Sequence, residues 1–364
     1  MTHPSPALLT LLMTSAILPS AWAGDAPAPL ASEPSSTPVF RIFWENDGAY
    51  HNPTAGYDGH YTNGLSSALL DRPKWLEQVS DAIPFWDVVD AAPTATQTGG
   101  GLVCGQLLFT PRDITTPAPI ADDMGFAGYI YCGGFWQRET AFAGAPHVRS
   151  LEHVELNAGL IGPSAKGYQT QQWVHNHFMG RPNDGWRNQV RDEPTAELYV
   201  RRKWALDQDF FSAPHNKDYQ WDLIPESTLA LGTVYDFAEV GCTARFGVNL
   251  PRDFGPPRLT DPGTPTANPQ GSSFYIYART SARTVAHDAF TDGSMVHGAR
   301  TAAGSAINGE PLRADATLGL RWSGDWGRSK VEVGYGLTYQ TRQFREQKGT
   351  ESYGALQLGV AIKF

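Results

Sequence analysis

A few polar residues of this sequence have the types and the spacing that ester hydrolysis requires. Carboxylate, amide and hydroxyl oxygens are the ligands that a hard cation such as Ca²⁺ prefers. A histidine is the usual general base near neutral pH. A cation that polarises a carbonyl beside a histidine that activates water could hydrolyse an ester. The residues that supply these groups are Asn46, Asp47, Thr62, Gln171 and His175.

Other interpretations of the same residues stay open. An Asn-Asp pair at a strand end is also a common turn, and His175 is one of ten histidines. His177 could replace His175 as the base. The His-x-His spacing would suit a transition metal on a strand, but in a helix the two side chains point apart. The sequence contains no Gly-x-Ser-x-Gly motif, which argues against a serine nucleophile of that kind.

The elements that position these residues are predicted by a period of two. Apolar and polar residues alternate over 330–340, 355–364 and 153–160, which is typical of strands with one apolar face. We count about twelve candidate strands, an even number that allows an antiparallel sheet to close. They begin near Val39, Tyr61, Leu102, Phe126, Leu151, Thr195, Tyr219, Val240, Ser273, Ala314, Lys330 and Tyr353.

The alternation fits either a secreted β-sandwich or a transmembrane β-barrel, and three features favour the barrel. Residues 1–23 have the apolar stretch and the Ala-x-Ala ending of a cleaved signal peptide. Aromatic residues fall at the predicted strand ends, as they do in interfacial girdles. The last strand ends on Phe364, as in many bacterial barrels. We therefore predict an Ala/Pro/Ser-rich lead-in over 24–37 and an outer-membrane barrel over 38–364.

Strand parity brings the candidate site together. With the N-terminus in the periplasm, the first and fifth strands end, and the second begins, at the extracellular rim. Phe40, Ile42 and Trp44 share a face with Asn46, so Asn46 is predicted to face lipid. Residues 162–180 lack alternation and predict a short helix that begins at a Ser164 cap. That helix would put Gln171 and His175 on one face.

Composition excludes some functions and leaves one question open. The net charge of −9 argues against a nucleic-acid binder. Beyond the first 25 residues, no apolar run reaches the roughly 18 residues of a spanning helix. The segment 73–90 is predicted to be partly helical. The three cysteines could form one disulfide and one free thiol, but we favour three small buried side chains. They are Cys104, Cys132 and Cys242.

Several longer motifs resemble the outer-membrane lipid A 3′-O-deacylase family, and they extend over nearly the whole mature chain. They are Phe-Trp-Glu-Asn-Asp (43–47), Tyr-Thr-Asn-Gly (61–64), Cys-Gly-Gln-Leu-Leu-Phe-Thr-Pro-Arg-Asp-Ile (104–114), Phe-Ala-Gly-Tyr-Ile-Tyr (126–131), Gly-Leu-Ile-Gly-Pro-Ser-Ala (159–165), Gln-x-x-x-His (171–175), Gly-Trp-Arg-Asn-Gln-Val-Arg-Asp-Glu-Pro (185–194), Gly-Thr-Val-Tyr (232–235) and Arg-Phe-Gly-Val-Asn-Leu-Pro-Arg-Asp-Phe-Gly-Pro (245–256).

The resemblance implies a twelve-stranded barrel in the bacterial outer membrane, with its site between the barrel wall and a loop helix. The implied reaction is calcium-dependent hydrolysis of the 3′-linked acyloxyacyl chain of lipid A, the membrane anchor of lipopolysaccharide. By the matched motifs, His175 would activate water, and Asn46, Thr62 and Gln171 would complete the site. Asp47 would bind Ca²⁺, with Asn46 and Thr62 as further ligands or orienting groups. A lipid substrate also accounts for an asparagine on the lipid-facing side.

The sequence departs from the family motifs at two places. An arginine is missing at 57–60, and an arginine and a tyrosine are missing at 123–126. Lys166, Arg181 or Arg112 could replace the missing positive charges toward the phosphates of lipid A. The alternatives are a barrel that binds lipopolysaccharide without turnover, a porin-like structural barrel, and an esterase that acts on phospholipids. The oligomeric state is not indicated by the sequence.

Overall fold

The computed structural model describes residues 38–47, 59–82, 92–179, 184–211, 218–265, 271–295 and 307–362. The predicted signal peptide, the lead-in and Phe364 lie outside the described residues.

Twelve antiparallel strands form a closed barrel, which confirms the predicted fold class and strand number. Each strand pairs with its neighbour in sequence, and β1 pairs with β12 to close the sheet, with Val39 opposite Ala361. The strands are β1 (Val39–Asn46), β2 (Tyr61–Asp71), β3 (Pro93–Phe109), β4 (Ala127–Phe142), β5 (Ala145–Ile161), β6 (Glu193–Asp207), β7 (Gln220–Gly232), β8 (Tyr235–Val248), β9 (Ser273–Asp288), β10 (Leu312–Trp326), β11 (Ser329–Gln340) and β12 (Glu351–Ile362).

Two α-helices lie in the connections. Helix α1 (Trp75–Ala82) follows β2 and confirms that the segment 73–90 is partly helical, while 83–90 lie outside the described residues. Helix α2 (Gly167–Val174) follows β5 and continues into a single π-helical turn, His175–Met179. Neither helix, nor any other in the described ranges, has the length and apolar character to cross a membrane.

The two faces of the strands differ in polarity, as the alternation predicts for a transmembrane barrel. On β1, the side chains of Phe40, Ile42 and Trp44 point outward and are exposed, whereas Arg41 and Phe43 are buried inside. The same order holds on β9, where Phe274 and Ile276 are exposed. An apolar outer belt around a polar interior is the arrangement that a lipid bilayer stabilises.

The strand directions define two ends of the barrel. We call the end where β1 starts and β12 finishes the lower rim, and the opposite end the upper rim. The upper rim carries the long connections 47–60, 110–126, 162–192 and 289–311. In outer-membrane barrels the longer loops are extracellular and most periplasmic turns are short.

Residues 251–265, between β8 and β9, fold from the lower rim into the lumen, and we call them the plug. Inward-pointing side chains of the wall bind the plug backbone: Arg41 donates to Pro262 O (2.8 Å) and Thr264 O (2.9 Å). An ion pair of 2.5 Å joins Lys203 to Asp261. Because nearly all plug residues are buried, the plug fills the lower part of the lumen.

The favoured interpretation of the cysteines was wrong. Cys104 of β3 and Cys132 of β4 are register partners and form a disulfide. Both lie on the exposed outer face, and Cys242 is a half-buried free thiol. The pairing follows from the strand register, which brings the two Cα atoms to 4.0 Å. The spacing of the cysteines in the sequence does not reveal this register.

Candidate functional site

The outward position of Asn46 is confirmed, because it pairs with Asn63 of β2 on the outer face of the barrel. The Nδ2 of Asn46 donates to Thr62 O (3.0 Å) and lies 3.3 Å from Asn63 Oδ1. Trp44, on the same face, donates from Nε1 to Asn63 Oδ1 at 2.9 Å. These bonds fix the orientation of the Asn46 amide, since its nitrogen is the atom that faces β2.

Asp47 and Thr62 are joined through the backbone of Gly59. The Gly59 N–H donates to Asp47 Oδ2 at 2.6 Å, and the Thr62 hydroxyl donates to Gly59 O at 3.0 Å. Thr62 lies at a register shift between β2 and β3, where a β-bulge turns its side chain toward Thr110, with the two hydroxyls 2.7 Å apart. The bulge accounts for a threonine that belongs to neither regular face of the strand.

Helix α2 leans on the outer face of β3 and β4, which is the wall next to β2. Two glycines permit this close approach, because a Cβ at Gly128 would lie 3.1 Å from Gly167 N. Gln106 of β3 holds the helix in place. Its Nε2 donates to Ala165 O at 2.7 Å, and its Oε1 accepts from the Thr170 hydroxyl at 3.0 Å. The asparagine end of β1 and the helix therefore lie in one sector of the upper rim.

Gln171 and His175 lie on the buried face of this helix, as the four-residue spacing predicts, and each is 3 % exposed. Trp186 donates from its indole Nε1 to Gln171 Oε1 at 2.5 Å. The indole also packs in a cluster with Leu108 of β3. The glutamine side chain is thus fixed between the helix and the loop that follows it.

The predicted Ser164 cap was wrong. Lys166, in a left-handed conformation, is the N-cap of α2. The Ser164 backbone N–H and hydroxyl instead bind the Asp192 carboxylate, at 2.7 and 2.9 Å. A short 3-10 turn (Pro163–Ala165) comes between the end of β5 and the helix, which moves the helix start beyond the serine.

His177 lies on the other side of the helix from His175. It is exposed, and its ring packs on the exposed Trp173 with centroids 4.8 Å apart. The two histidines point in different directions, as expected for a helical His-x-His. This geometry favours His175, the buried one, as the residue of the site.

A buried histidine, His60, connects three segments of the upper rim beside the site. Its Nε2 lies 2.6 Å from Asp123 Oδ1, and both its Nδ1 and its backbone N–H contact Glu351 Oε1. Burial alone would lower the pKa of His60, but the hydrogen bonds and charges of the two carboxylates raise it to about 9. The imidazolium therefore ties the start of β2 to the loop 110–126 and to the start of β12.

The oxygen atoms around Asp47 fit a hard cation. Asp47 offers a half-exposed carboxylate, and the Asn46 amide presents its nitrogen to β2, so its oxygen faces the other way. These are calcium-type donors. Within the described ranges, one group of three His, Asp or Glu residues is close enough to share an ion, namely His147, Asp207 and Asp209. That group lies at the lower rim, away from Asp47. Exposed acidic groups of this kind are common in proteins that bind no metal there.

The sequence did not single out several residues that build the site. Asn63 and Trp186 are inside motifs quoted above, but nothing in their spacing shows that they orient Asn46 and Gln171. His60, Asp123 and Glu351 are far apart in sequence and meet only when the barrel closes. Their one signal is their position at predicted strand ends on the same rim.

Comparison with one solved structure supports this architecture. The solved structure of LpxR from Salmonella typhimurium superposes with a TM-score of 0.63 at 16 % identity, covering 90 % of this chain and 100 % of the other. The β-domain of the Bordetella autotransporter BrkA gives a TM-score of 0.41 at 11 % identity, covering 91 % and 100 %. No curated protein sequence matches this chain. The sequence matches the family described as "Outer membrane protein LpxR" over residues 8–362. The chain therefore belongs to the LpxR family of outer membrane proteins.

Proposed function

We propose that this protein is an outer-membrane hydrolase that removes the 3′-linked acyloxyacyl chain of lipid A, with Ca²⁺ as cofactor. The observation that carries the proposal is the convergence of two groups of residues at one sector of the upper rim. Asn46, Asp47 and Thr62 come from β1 and β2, while Gln171 and His175 come from helix α2. Family membership and the barrel fold support the same activity.

The position of the site suits a substrate that is itself a lipid of the outer leaflet. Asn46 lies on the outward face just above Trp44 and Ile42, which belong to the apolar belt. The outer face of α2 presents the exposed Tyr168 and Trp173. Aromatic side chains of this kind favour the membrane interface. Lipid A could thus keep its acyl chains in the bilayer while an ester near the sugar reaches the site.

His175 is the proposed general base. It would accept a proton from a water molecule as the water oxygen attacks the ester carbonyl carbon. When the bond between that carbon and the sugar-side oxygen breaks, the proton would pass to the leaving alkoxide, so that acid and alcohol are released and His175 is neutral again. Gln171 and His175 lie on the buried side of the helix, and this burial would keep bulk water away from the base.

Gln171 and Thr62 are proposed to position the reacting groups. The Trp186 indole donates to Gln171 Oε1, and this bond fixes the orientation of the glutamine amide beside His175. Thr62 holds the Gly59 carbonyl, and this positions the Gly59 N–H on Asp47.

Asp47, Asn46 and Thr62 are the residues that would hold the cation. When bound, Ca²⁺ would polarise the ester carbonyl and stabilise the negative charge that develops on its oxygen. The carboxylate of Asp47 would supply the charge that balances the ion, and the Asn46 amide oxygen would supply a neutral ligand. Because the family arginines are missing, other groups would have to contact the phosphates of lipid A. Arg112 is a candidate for this role, since its backbone N–H donates to the Asp123 carboxylate at the upper rim.

The decisive experiment is mass spectrometry of purified lipid A incubated with the folded protein in detergent, with calcium or with a chelator. We expect lipid A to lose the mass of one acyloxyacyl chain in the sample with calcium but not in the sample with chelator. Purified phospholipids under the same conditions distinguish the alternative esterase. No mass change in either lipid, with the barrel shown to be folded by its gel mobility before heating, would contradict the proposal and favour a binding barrel.

A further inference from the structure

The upper half of the lumen contains a cavity that the proposed site on the outer wall does not use. It has a volume of about 200 Å³, and we call it the vestibule. The plug forms its floor through Arg258 and Leu259, and inward side chains of the strands form its wall. A water molecule occupies about 30 Å³ of liquid, so the vestibule has room for a small organic molecule. Because the plug fills the lumen below, a ligand would enter from the upper rim.

Five arginines and five carboxylates line the vestibule, and two of the arginines are more exposed than their carboxylate partners. The side chains of Arg283 and Arg258 are 28 % and 22 % exposed. Their carboxylate partners are covered: Glu239 is 7 % exposed and Glu226 is 3 %. The half-exposed Glu45, which accepts a hydrogen bond from Tyr61 at 2.8 Å, is the main acidic exception.

These carboxylates have a further cationic partner besides the exposed arginines. The buried Arg279 contacts Glu226 (2.6 Å), Glu239 (2.7 Å) and Asp315 (2.6 Å). Arg283 adds ion pairs with Glu239 and Asp315 from the vestibule side. Arg313, its register partner on β10, also lines the vestibule and pairs with Asp288. Guanidinium groups bind carboxylates and phosphates through paired hydrogen bonds.

The vestibule also contains buried acceptors that lack a donor. Asn157 Oδ1 and Gln357 Oε1 have no hydrogen-bond partner among the described residues, and both side chains are more than nine-tenths buried. A buried acceptor without a partner is unfavourable. Both oxygens are covered by neighbouring atoms, so the hydroxyls that this wall offers to a ligand come from tyrosines, among them Tyr199 and Tyr235.

From these observations we infer that the vestibule binds a small anionic sugar, one that carries a carboxylate or a phosphate. The anion contacts the guanidinium groups of Arg283 and Arg258, and the sugar hydroxyls form hydrogen bonds with the tyrosine hydroxyls of the wall. The site is separate from His175, which lies outside the barrel wall, and from Asp47, which lies on the upper rim. The same chemistry is offered by a free sugar acid and by an acidic residue within a cell-surface saccharide.

The test is isothermal titration calorimetry of the full-length protein in detergent micelles. The probes are glucuronate, glucose 6-phosphate, glucose and inorganic phosphate. We expect saturable binding of at least one anionic sugar, with glucose and phosphate each at least about tenfold weaker, the effect of one lost charged contact. Methyl glucuronide distinguishes the two sources, since binding of the glycoside indicates a residue within a saccharide and binding of the free acid alone indicates a free sugar.

The matched variants are Arg283→Gln and Arg342→Gln. Both remove one arginine charge, but Arg342 lies in the loop after β11, outside the vestibule, and is 51 % exposed. Arg283→Gln should weaken binding about tenfold, and Arg342→Gln should leave it unchanged. Arg258→Gln replaces the first variant if that barrel fails to fold, because Glu226 keeps Arg279 and Lys203. Absence of saturable binding, equal binding by Arg283→Gln, or phosphate that binds as tightly as the sugars would overturn the inference.

Discussion

His60 and Asp123 form a buried ion pair at the upper rim, with 2.6 Å between Nε2 and Oδ1. They belong to the two segments in which this sequence departs from the family motifs, 57–60 and 123–126. The structure therefore joins the two departures directly. The pair lies one residue from Gly59, whose N–H binds Asp47, so it belongs to the frame that supports the proposed cation ligands.

The first prediction concerns the pH dependence of stability. The folded pKa of His60 is raised from 6.5 to about 9. Its stabilisation is therefore complete below pH 6.5 and is lost as the pH rises through 9, by an amount on the order of 3 kcal/mol. Thermal unfolding in detergent from pH 6 to 10 measures it. His60→Gln should be less stable at pH 6 and lack this decline, while the exposed His177→Gln should behave as wild type. A wild-type stability that is constant over this range contradicts the ion pair.

The second prediction concerns the orientation of Gln171. Trp186→Phe keeps an aromatic ring against Leu108 but removes the Nε1 donor to Gln171. We expect lipid A turnover to fall about fivefold, since one neutral hydrogen bond contributes about 1 kcal/mol. The barrel should remain folded. The control is Trp173→Phe, because Trp173 is 57 % exposed on the opposite face. Equal activity of the two variants would show that the bond does not matter.

Much of the fold follows from the sequence because lipid and lumen impose opposite polarity on successive residues. Strand β11 was predicted at 330–340 and spans Ser329–Gln340. Strand β3 was predicted to begin near Leu102 but begins at Pro93. Its first residues are Pro, Thr, Ala, Gln and Gly near the lower rim, where an apolar outer face is not required. The alternation is therefore absent from that part of a real strand.

The candidate site was predicted less completely than the fold. Local patterns identify Asn46, Thr62 and the helix, because each lies at the end of a strand or in a segment without alternation. The contacts that orient them depend on strand register and loop packing. Thr62 meets Thr110 through a bulge, and Asp123 meets His60 across two loops. No periodicity encodes such distant contacts.

The third prediction assigns the base. His175→Ala should lower lipid A turnover by about 10²–10⁴, the usual contribution of a general base. His175 is buried against the barrel, so folding must be checked by gel mobility and thermal unfolding. His177→Ala provides the comparison, because His177 is exposed on the same helical segment. Retained turnover in a folded His175→Ala protein would exclude His175, and a loss only in His177→Ala would assign the base to His177.

The fourth prediction concerns the cation. Asp47→Asn keeps an oxygen that can accept from Gly59 N–H but removes the negative charge. We expect the calcium concentration for half-maximal activity to rise at least about tenfold, since a charge-assisted contact is lost. Activity titrated against free calcium measures it. Asp122→Asn, an exposed carboxylate on the same rim, should not change the requirement. An unchanged calcium requirement in Asp47→Asn would place the ion elsewhere.

The fifth prediction concerns permeation through the lumen. A porin-like barrel would pass ions steadily, but here the plug fills the lower lumen and is held by Arg41, Lys203 and Gln137, the last donating to Gly263 O at 2.8 Å. Planar bilayer recordings of the wild-type protein should therefore show no steady open channel. Replacing residues 252–264 with a short Gly-Ser turn should produce channel steps, because the inward charges would then face water. Steady conductance of the wild-type protein would mean that the plug leaves the lumen and would favour the porin interpretation. If the wild-type barrel is closed and the variant without the plug conducts ions, the plug and its buried contacts block the lumen.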